Sequence, residues 1–400
     1  MLIVKKFGGT SVGNTERIKN VAERIAKEYR AGNDVIVVLS AMDQTTDELL
    51  ALARKLNAQP PKREMDALLA TGEQTSVALM AMALAAMSIP AISLNAFQVA
   101  MHSTTAHTNA RLLKIDTERI EHELESRKVV LVTGFQGVDK YGDVTTIGRG
   151  GSDTTAVAIA AAMHADSCEI YTDVDGVYTA DPRIVPNARK ESEITYDEML
   201  ELASIGAQVL HNRSVELAKK YGVTLVVRSS LNESEGTRVK EVTSVESMLV
   251  SGVAADKNTA RVTVLGVADA PGSEFKIFDL LANNSINVDA ILQTAAKDGK
   301  KDVSILVARD CCEKAQTILE ENMPRLKADS IEVDTSVAKV SIVGASIQSN
   351  PGVASAMFEA LYNVGINIKM TATNELRITV LVDENEMEKA VRAIHAALIE

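Results

Sequence analysis

The sequence predicts an α/β protein, with an amino-terminal αβα sandwich around a mostly parallel sheet followed by two ferredoxin-like βαββαβ units. Over residues 1–240, short apolar runs alternate with longer segments of helical spacing. This alternation is typical of parallel strands covered by helices on both faces. Beyond residue 258, one strand-helix pattern occurs twice. A pattern repeated at this spacing indicates two copies of one supersecondary unit.

The elements of the first part follow one another in a regular order. Strand LIVKKF precedes a helix that ends at Arg30, and strand DVIVVLS precedes a helix through LLALARKL. Further strands are predicted at KVVLVTGF, EIYT and VTLVVRS, with helices between them. At residues 139–143 the sequence DKYGD predicts a hairpin turn. The apolar run from Val77 is broken by Pro90, so it predicts a buried helix and strand in place of a membrane span.

A polar segment at residues 229–244 marks the expected domain boundary, because it has few apolar residues and no clear period. The stretches that begin at Arg261 and Lys339 then share one order: strand, Pro-Gly loop, amphipathic helix, Asn-containing turn and strand, followed by another strand and helix. That order predicts the split βαβ fold. Pro-Gly in one copy could simply start a helix. Two copies with the same loop and turn predict ligand sites, since backbone N–H groups at a helix start suit a carboxylate.

Charge and cysteine content exclude several functional classes. The net charge is -12, whereas a protein that binds nucleic acid needs a basic surface. The first residues lack the charged, apolar and cleavage regions of a signal peptide. The three cysteines make neither a disulfide framework nor a CxxC metal pair. We therefore expect a cytoplasmic protein with no nucleic-acid or membrane partner.

Three loops that follow predicted strands have the composition of anion-binding sites. The first, Gly8-Gly9, follows Lys6 and is not a Walker A loop, because its lysine precedes the glycines. Taken alone, it fits a tight turn between surface lysines equally well. The second, in TTIGRGGSDTTA, adds Arg149, which suits bidentate recognition of a carboxylate or phosphate. With the polar loop at residues 171–183, these loops indicate a nucleotide-dependent enzyme, because open α/β sheets bind ligands at the carboxyl ends of their strands.

Several long motifs, in this order, resemble those of the aspartokinases, which phosphorylate the side-chain carboxylate of L-aspartate. The motifs are KFGGTSVG, VLSAMDQTTDELL, LLATGEQTS, VTGFQG, TTIGRGGSDTTA and YTDVDGVYTADPRIV. The repeated units resemble the tandem ACT regulatory domains of that family, so the resemblance extends over nearly the whole chain. It implies an amino acid kinase catalytic domain at residues 1–240 and ACT units at 259–335 and 336–400. A strand at residues 248–258 would complete the second ACT unit.

The resemblance also implies a role for each residue of the active site. Lys6 would be the cation that meets the transferring phosphoryl group, and Asp153 would orient it. Glu73 would bind the α-ammonium of aspartate. The implied nucleotide-binding residues are Lys6, Gly8, Gly9, Thr10, Thr172, Asp173, Tyr178, Asp181, Pro182 and Arg183, and the implied substrate-binding residues are Ser40, Thr46, Glu73, Arg149 and Ser152. ATP would enter with Mg²⁺, without a dedicated protein metal site. An aspartate carboxylate is already ionised near neutral pH, so no general base is required.

By the same resemblance, the enzyme would catalyse the first step of lysine, threonine and methionine biosynthesis. Lysine, threonine or both would inhibit it from sites between paired ACT units in a homo-oligomer or hetero-oligomer. The implied effector-binding residues are Asp269, Pro271, Gly272, Asn287 and Gln293 in the first unit and Pro351, Gly352, Val353, Asn367 and Ile368 in the second. Val353 and Ile291 fit a core position equally well. Effector binding would favour a closed, inhibited arrangement.

Two residues qualify this interpretation. Gln208 stands where many aspartokinases carry the lysine of GAKVLHP, so one cation is missing. This departure leaves open a ligand sensor with a degenerate kinase domain. A kinase for glutamate or acylglutamate is a further alternative, against which the TGE motif and the tandem ACT units weigh. Lys5 is predicted on the strand face opposite Lys6, as a solvent-exposed or flanking cation.

Overall fold

The computed structural model describes residues 1–206, 209–242, 249–345, 347 and 350–399. The chain forms two compact units. The amino-terminal unit comprises Met1–Val177, Lys190–Ala203 and Gln208–Glu246, and the carboxyl-terminal unit comprises Tyr178–Arg189, Ser204–Ala207 and Ser247–Glu400. The short segment Tyr178–Arg189, called the 178–189 segment below, therefore groups with the carboxyl-terminal unit, although the sequence places it inside the expected catalytic domain.

The amino-terminal unit contains two sheets and the helices that cover them. Its strands are β1 (Leu2–Phe7), β2 (Asp34–Leu39), β3 (Ala91–Leu94), β4 (His102–Ser103), β5 (Leu112–Lys114), β6 (Val129–Thr133), β7 (Gln136–Val138), β8 (Val144–Thr146), β9 (Ser167–Thr172), β10 (Glu193–Thr195), β11 (Leu225–Ser229) and β12 (Thr237–Lys240). Its helices are α1 (Thr15–Arg30), α2 (Thr45–Leu56), α3 (Lys62–Ala86), α4 (Glu118–Glu125), α5 (Gly151–Ala162), α6 (Tyr196–Ser204) and α7 (Asn212–Tyr221).

The larger sheet has eight strands in the order β10-β12-β11-β9-β1-β2-β6-β3. Strands β11 and β12 are antiparallel, whereas the other neighbouring strands run parallel. Strands β2 and β6 are apolar along most of their length, as expected where both faces of a sheet are covered. Val35, Val37 and Leu39 of β2 pack in one core with α1 and α3, and α5 packs on β1, β2 and β9. This architecture confirms the predicted α/β class and mostly parallel sheet.

The apolar run from Val77 forms the end of helix α3 and strand β3. Among the described residues, α3 is long and apolar enough by length and composition to cross a membrane. Its Met80 and Leu84 are fully buried in the core that contains α1 and β2. The predicted hairpin is formed by β7 and β8, which pair antiparallel in a small sheet of order β5-β4-β7-β8.

The carboxyl-terminal unit contains two four-stranded antiparallel sheets. Its strands are β13 (Gly252–Asp256), β14 (Ala260–Ala268), β15 (Ala290–Gln293), β16 (Lys300–Val307), β17 (Ser330–Asp334), β18 (Val337–Val343), β19 (Met370–Thr373) and β20 (Arg377–Asp383). Its helices are α8 (Ser273–Asn283), α9 (Cys312–Glu321), α10 (Met323–Leu326), α11 (Gly352–Asn363) and α12 (Met387–Leu398). The sheet orders are β15-β16-β14-β17 and β13-β18-β20-β19.

Each sheet belongs to one of the two repeats found in the sequence. The first repeat runs continuously from β14 to β17 in the order βαββαβ. The second runs from β18 to α12 and takes its fourth strand, β13, from the chain ahead of the first repeat. The first repeat is thus inserted between two neighbouring strands of the second. Met248, the first residue of the strand expected at 248–258, lies outside the described residues.

Candidate active site

Four loops of the amino-terminal unit meet at one edge of the larger sheet. Strands β9, β1, β2 and β6 are parallel neighbours, so their carboxyl ends lie side by side. Backbone hydrogen bonds link the loops just past the strands: Gly8 N donates to Tyr171 O at 3.3 Å, Ser40 N to Phe7 O at 3.1 Å and Gly134 N to Leu39 O at 3.0 Å. The glycine-rich turn after β1 therefore forms one continuous edge with the ends of β9, β2 and β6.

Lys6 forms an ion pair at this edge. It lies on β1 next to Val38 of β2 and Ile170 of β9, so its backbone is fixed on both sides. Its Nζ is 2.6 Å from Oδ1 of Asp153, in the first turn of α5. Both side chains are 12% exposed. The predicted catalytic pair is therefore in contact, with the ammonium held close to the loop of Gly8.

The start of helix α5 is held very close to the loop after β6. A Cβ atom on Gly134 would overlap the side chain of Ser152, so only glycine allows this approach. Gly150 has a left-handed backbone with φ of 67°, and α5 begins without a side-chain cap in the part of the chain that the structure describes. Because the first amides of a helix have no partner within it, this terminus is suited to an anion.

Sequence reasoning missed two residues that hold this helix start. A Cβ atom on Gly150 would overlap the imidazole of His211, so His211 lies directly against the loop. Arg213 donates to the carbonyl oxygens of Ile147 and Ala110, both at 2.9 Å. His211 was visible in the sequence beside Gln208, but nothing there indicated contact with a loop about sixty positions earlier. Gln208 lies outside the described residues.

Glu73 is a buried carboxylate at the same edge. It is 3% exposed and lies on α3. Its Oε1 accepts a hydrogen bond from Ala41 N at 3.2 Å, whereas its Oε2 has no partner among the described residues. Burial raises the pKa of Glu73 to about 7, against the lowering effect of its hydrogen bonds. An oxygen in this state gains most from a cationic ligand, because an unpaired buried carboxylate is costly.

The other predicted substrate residues lie in the loops around this group. Ser40 follows β2 directly and Thr46 lies in the first turn of α2, both half-buried. Arg149 is exposed, and its guanidinium makes no hydrogen bond or ion pair with the rest of the described chain. Ser152 is 8% exposed at the start of α5. These side chains supply hydroxyl groups and one cation for a polar ligand at this edge.

The predicted nucleotide residues are distributed over both units. Gly8, Gly9 and Thr10 form the turn after β1, and Thr172 ends β9 and donates to Asp173 at 3.0 Å. Tyr178, Asp181, Pro182 and Arg183 instead lie in the 178–189 segment of the carboxyl-terminal unit. There Arg183 forms a forked ion pair with Asp181, with the shortest contact at 2.7 Å.

The prediction for Lys5 is wrong in one respect. It does lie on the strand face opposite Lys6, but it is only 1% exposed. Its Nζ is 2.6 Å from Glu169 and 3.1 Å from Glu28, and Tyr171 also donates to Glu169. Although burial opposes the charge, Tyr171 and the two carboxylates raise the pKa of Lys5 above its usual value. Alternation identifies the face of a strand but not the carboxylates that cover it.

In the carboxyl-terminal unit, the predicted effector residues occupy equivalent places in the two repeats. Pro271 and Gly272 precede α8, whereas Pro351 precedes α11 and Gly352 begins it, and all four are exposed. The turn residues Asn287 and Asn367 and the strand residue Gln293 are exposed as well, and Ile368 is half-buried. Val353 differs, because its side chain lies in the core of the second repeat at 4% exposure. Asp269 is 3.0 Å from Lys301, which also contacts Glu274.

One cluster elsewhere has the composition of a metal site. His107, Asp139 and Asp143 bring ligand atoms within 4.8 Å of one another. Asp139 Oδ1, however, accepts hydrogen bonds from two backbone amides, and Asp143 is paired with Arg63 at 2.5 Å. These contacts give the carboxylates a structural role in the β7–β8 hairpin, so the cluster does not contribute to the candidate site.

Comparisons with known proteins agree with the geometry of both units. The family model described as "Amino acid kinase family" matches residues 1–229, and that described as "ACT domain" matches residues 340–398. An aspartokinase of Bacillus sp. (strain MGA3) is 52% identical over 397 residues, which cover 99% of this chain and 97% of the relative. An aspartate kinase of Pseudomonas putida is 49% identical over 398 residues, with the same coverage of both chains.

Solved structures extend the likeness to three dimensions. E. coli aspartokinase III in complex with aspartate and ADP (R-state) is 26% identical, with a TM-score of 0.84 and full coverage of both chains. The same enzyme in complex with lysine and aspartate (T-state) has a TM-score of 0.80 at the same identity and coverage. The matches span this chain and its relatives from end to end. The chain therefore belongs to the aspartokinases of the amino acid kinase family.

Proposed function

We propose that the protein transfers the γ-phosphoryl group of ATP to the side-chain carboxylate of L-aspartate, giving 4-phospho-L-aspartate. The observation that carries this proposal is the Lys6–Asp153 ion pair, which lies beside the glycine-rich turn after β1. Phosphoryl transfer depends on positioning and on neutralising charge. A fixed lysine next to backbone amides provides both.

In this mechanism each group acts without moving a proton at the reacting centre. Amides of Gly8 and Gly9 and the side chain of Thr10 would bind the phosphates, and Lys6 would neutralise charge as it develops on the transferring group. Asp153 would keep Lys6 aligned. The attacking aspartate carboxylate is ionised at neutral pH, so it needs no base. Phosphoryl transfer to aspartate would thus require of the protein mainly that it align these groups and neutralise charge.

The substrate would be held by groups of opposite charge. The Oε2 of Glu73 has no partner in the part of the chain that the structure describes, which supports a site for the α-ammonium of aspartate, since a buried carboxylate oxygen gains a partner when the ligand binds. Arg149 and the start of α5 at Ser152 would bind its carboxylates, and Ser40 and Thr46 would complete the pocket. This division of charge would select an amino acid with two carboxylates.

We propose that the nucleotide enters as its Mg²⁺ complex. When bound, Mg²⁺ would supply further neutralisation of the phosphate charge. Asp153 does not fit as its ligand, because its oxygen is 2.6 Å from the ammonium of Lys6. The exposed carboxylate of Asp173 does fit. Thr172, Tyr178, Asp181, Pro182 and Arg183 would contact the rest of the nucleotide.

The test is an assay of ADP release with L-aspartate, L-glutamate and N-acetylglutamate as separate acceptors. Turnover with aspartate alone is expected. Preference for glutamate or N-acetylglutamate would indicate a different carboxylate kinase, and no turnover by folded protein that still binds effectors would indicate a sensor. The sensor outcome is the one that glutamine in place of lysine at position 208 would favour.

We further propose that lysine, threonine or both inhibit the enzyme through the two repeats. Support comes from the exposed Pro-Gly loops at the starts of α8 and α11, which recur in equivalent places. The enzyme would act in the cytoplasm at the first step of lysine, threonine and methionine synthesis, as a homo-oligomer or hetero-oligomer. Titration with lysine and threonine, separately and together, tests this regulation. Rates unaffected by either amino acid would contradict it.

A further inference from the structure

The 178–189 segment is built into the hydrophobic core of the second repeat. Ala180 and Val185 are each 3% exposed and pack in one cluster with Val353, Met357 and Ile394. The last three come from helices α11 and α12. The segment also carries Tyr178, Asp181, Pro182 and Arg183, which we assign to the nucleotide. Ala180 and Val185 therefore face the second repeat, while Asp181, Pro182 and Arg183 lie between them in the sequence.

Buried hydrogen bonds fix the ends of the segment. Thr179 is fully buried, and its backbone N–H donates to Arg189 O at 2.9 Å while its carbonyl accepts from Val253 N at 2.7 Å. Its Oγ1 accepts from Arg189 N at 3.0 Å and lies 2.9 Å from Nε2 of His395. His395 is 1% exposed and lies on α12, 216 residues away in sequence. One hydroxyl thus links both ends of the segment to the last helix.

The part between these ends forms a compact turn. The amides of Ile184 and Val185 both donate to Asp181 O at 2.9 Å, and Arg183 pairs with Asp181. Because the ends are tied together by Thr179 and Arg189, the conformation of this turn depends on the core to which they are attached. A buried hydroxyl or imidazole without its partner is costly, so this attachment has few alternative geometries.

We propose that Thr179 and His395 are positioning residues for nucleotide binding, through which the second repeat sets the shape of the turn at residues 181–183. This inference rests on the proposed nucleotide role of that turn. Neither residue touches the nucleotide in this scheme. Their effect is on the affinity for ATP, whereas aspartate is bound by residues of the amino-terminal unit.

The same core offers a route for feedback within one chain. Val353 follows the exposed Pro351–Gly352 loop directly, and Ile368 packs on the cluster after the second Asn-containing turn. An effector that changes the packing of these residues acts on the core that holds the 178–189 segment. Inhibition through the second repeat is then expected to raise the KM for ATP more than the KM for aspartate, since linkage requires that effector and nucleotide oppose each other's binding.

The test compares Thr179→Val, His395→Leu and His395→Gln with a matched control, Thr379→Val. The control removes a hydroxyl that is buried in the second repeat, where Thr379 and Ser341 are 2.7 Å apart. Its neighbours Ile378 and Val380 pack in the cluster that holds the 178–189 segment, so alternation places Thr379 on the opposite face of the sheet. Loss of one buried hydrogen bond is expected to raise the KM for ATP about tenfold in Thr179→Val and His395→Leu. The KM for aspartate should stay near that of the wild type. His395→Gln, which keeps a hydrogen-bonding group, should retain most of the affinity for ATP.

The comparison separates positioning from stability. Urea unfolding should show similar losses for Thr179→Val and Thr379→Val, with the ATP effect confined to the first. Equal shifts in both KM values, or an unchanged KM for ATP in folded His395→Leu, would overturn the proposal. If Thr179→Val does not fold, the comparison of His395→Leu with His395→Gln tests the proposal. Failure of the wild type to phosphorylate aspartate would refute the proposed function instead, so the two failures are distinct.

Discussion

Lys6 Nζ and Asp153 Oδ1 lie 2.6 Å apart and join the central strand β1 to the first turn of helix α5. The pair is mostly shielded from water, so its attraction is screened less than that of a surface pair. The backbone of Lys6 is hydrogen-bonded between two parallel strands, and Asp153 lies near the positive end of a helix. Both partners are therefore fixed before a substrate arrives, as electrostatic catalysis requires.

Replacement of Lys6 by alanine should abolish most of the activity. We expect kcat to fall about a hundredfold or more, because the cation acts where charge develops in the transition state. The free energy of unfolding should change little, since the shorter side chain admits water to Asp153 and the start of α5 still favours its charge. Steady-state kinetics and urea unfolding measure the two effects. A near-normal kcat would show that another cation meets the phosphoryl group.

Lys5→Ala should have the opposite effect, a large loss of stability with little direct effect on kcat. The neighbouring lysine is buried with Glu169 and Glu28, so its removal leaves carboxylates without their partner. Breaking a buried pair from one side costs about 3–5 kcal/mol of unfolding free energy. Arg228, 3.4 Å from Glu169, places the expected loss at the lower end of that range.

The control for this prediction removes Lys5 together with Glu169, the nearer of its two carboxylates. Lys5→Met combined with Glu169→Leu should recover most of the stability that Lys5→Ala loses, because apolar residues of similar size can replace a buried pair. Urea unfolding of the single and double variants provides the comparison. Equal losses in both would mean that packing around Lys5, and not its charge, stabilises this face of the sheet.

The two lysines illustrate how far the sequence could predict this structure. Local periodicity predicted the main strands and helices, and the turn residues DKYGD predicted the hairpin of β7 and β8. The glycine-rich loops after strands indicated where a ligand would bind. Alternation also placed Lys5 and Lys6 on opposite faces. The environment of Lys5 could not be predicted, because Glu169 is 164 residues away and meets it only when β1 pairs with β9.

The packing of the 178–189 segment could not be predicted for the same reason, because its partners lie far away in the sequence. Its polar motif suggested a nucleotide loop, but Ala180 and Val185 give no periodic signal in so short a stretch. Their partners lie in α11 and α12, after the domain boundary that composition predicted. Likewise, the approach of Gly134 to Ser152 depends on two loops that meet only in the folded sheet. Contacts between distant parts of the chain thus account for most of what the sequence did not reveal.

Glu73 predicts a pH dependence for aspartate binding. Its pKa is raised by burial to about 7, so a large fraction is protonated below neutral pH in the free enzyme. Binding an ammonium favours the ionised form, and protons compete with aspartate. The KM for aspartate should therefore fall as pH rises through about 7 and should increase up to about tenfold per pH unit below it. Initial rates measured between about pH 5.5 and about pH 8.5, on both sides of the pKa of Glu73, test this effect.

Glu73→Gln serves as the control because it keeps the shape of the side chain but cannot ionise. Its KM for aspartate should be raised about tenfold or more at the alkaline end, since a charged hydrogen bond is lost. The dependence on pH through 7 should disappear. In the wild type, the raised pKa means that the free folded state binds this proton more tightly than the unfolded state. Stability from this group thus increases as pH falls from about 7 toward the unfolded value. A pH profile that persists in Glu73→Gln would assign the titration to another group.

Gly134→Ala tests whether the close approach of two loops shapes the substrate site. The new methyl group would overlap Ser152, so the start of α5 or the loop after β6 has to shift. Because the proposed site uses Ser152 and the adjacent Arg149, we expect the KM for aspartate to rise about tenfold or more, from displacement of fixed groups by a fraction of an ångström. Overpacking should also cost about 1–3 kcal/mol of unfolding free energy.

Gly222→Ala separates the two consequences of the added methyl group. Gly222 ends α7 with φ of 66°, and a Cβ atom there meets nothing within 4 Å. Alanine at that position should cost about 1 kcal/mol through backbone strain alone, with the KM for aspartate unchanged. If Gly134→Ala loses stability but keeps its affinity for aspartate, Ser152 is not a substrate residue. If both variants lose affinity together, the loss follows general destabilisation. Only a raised KM confined to Gly134→Ala supports the arrangement in which the loop after β6 sets the position of α5.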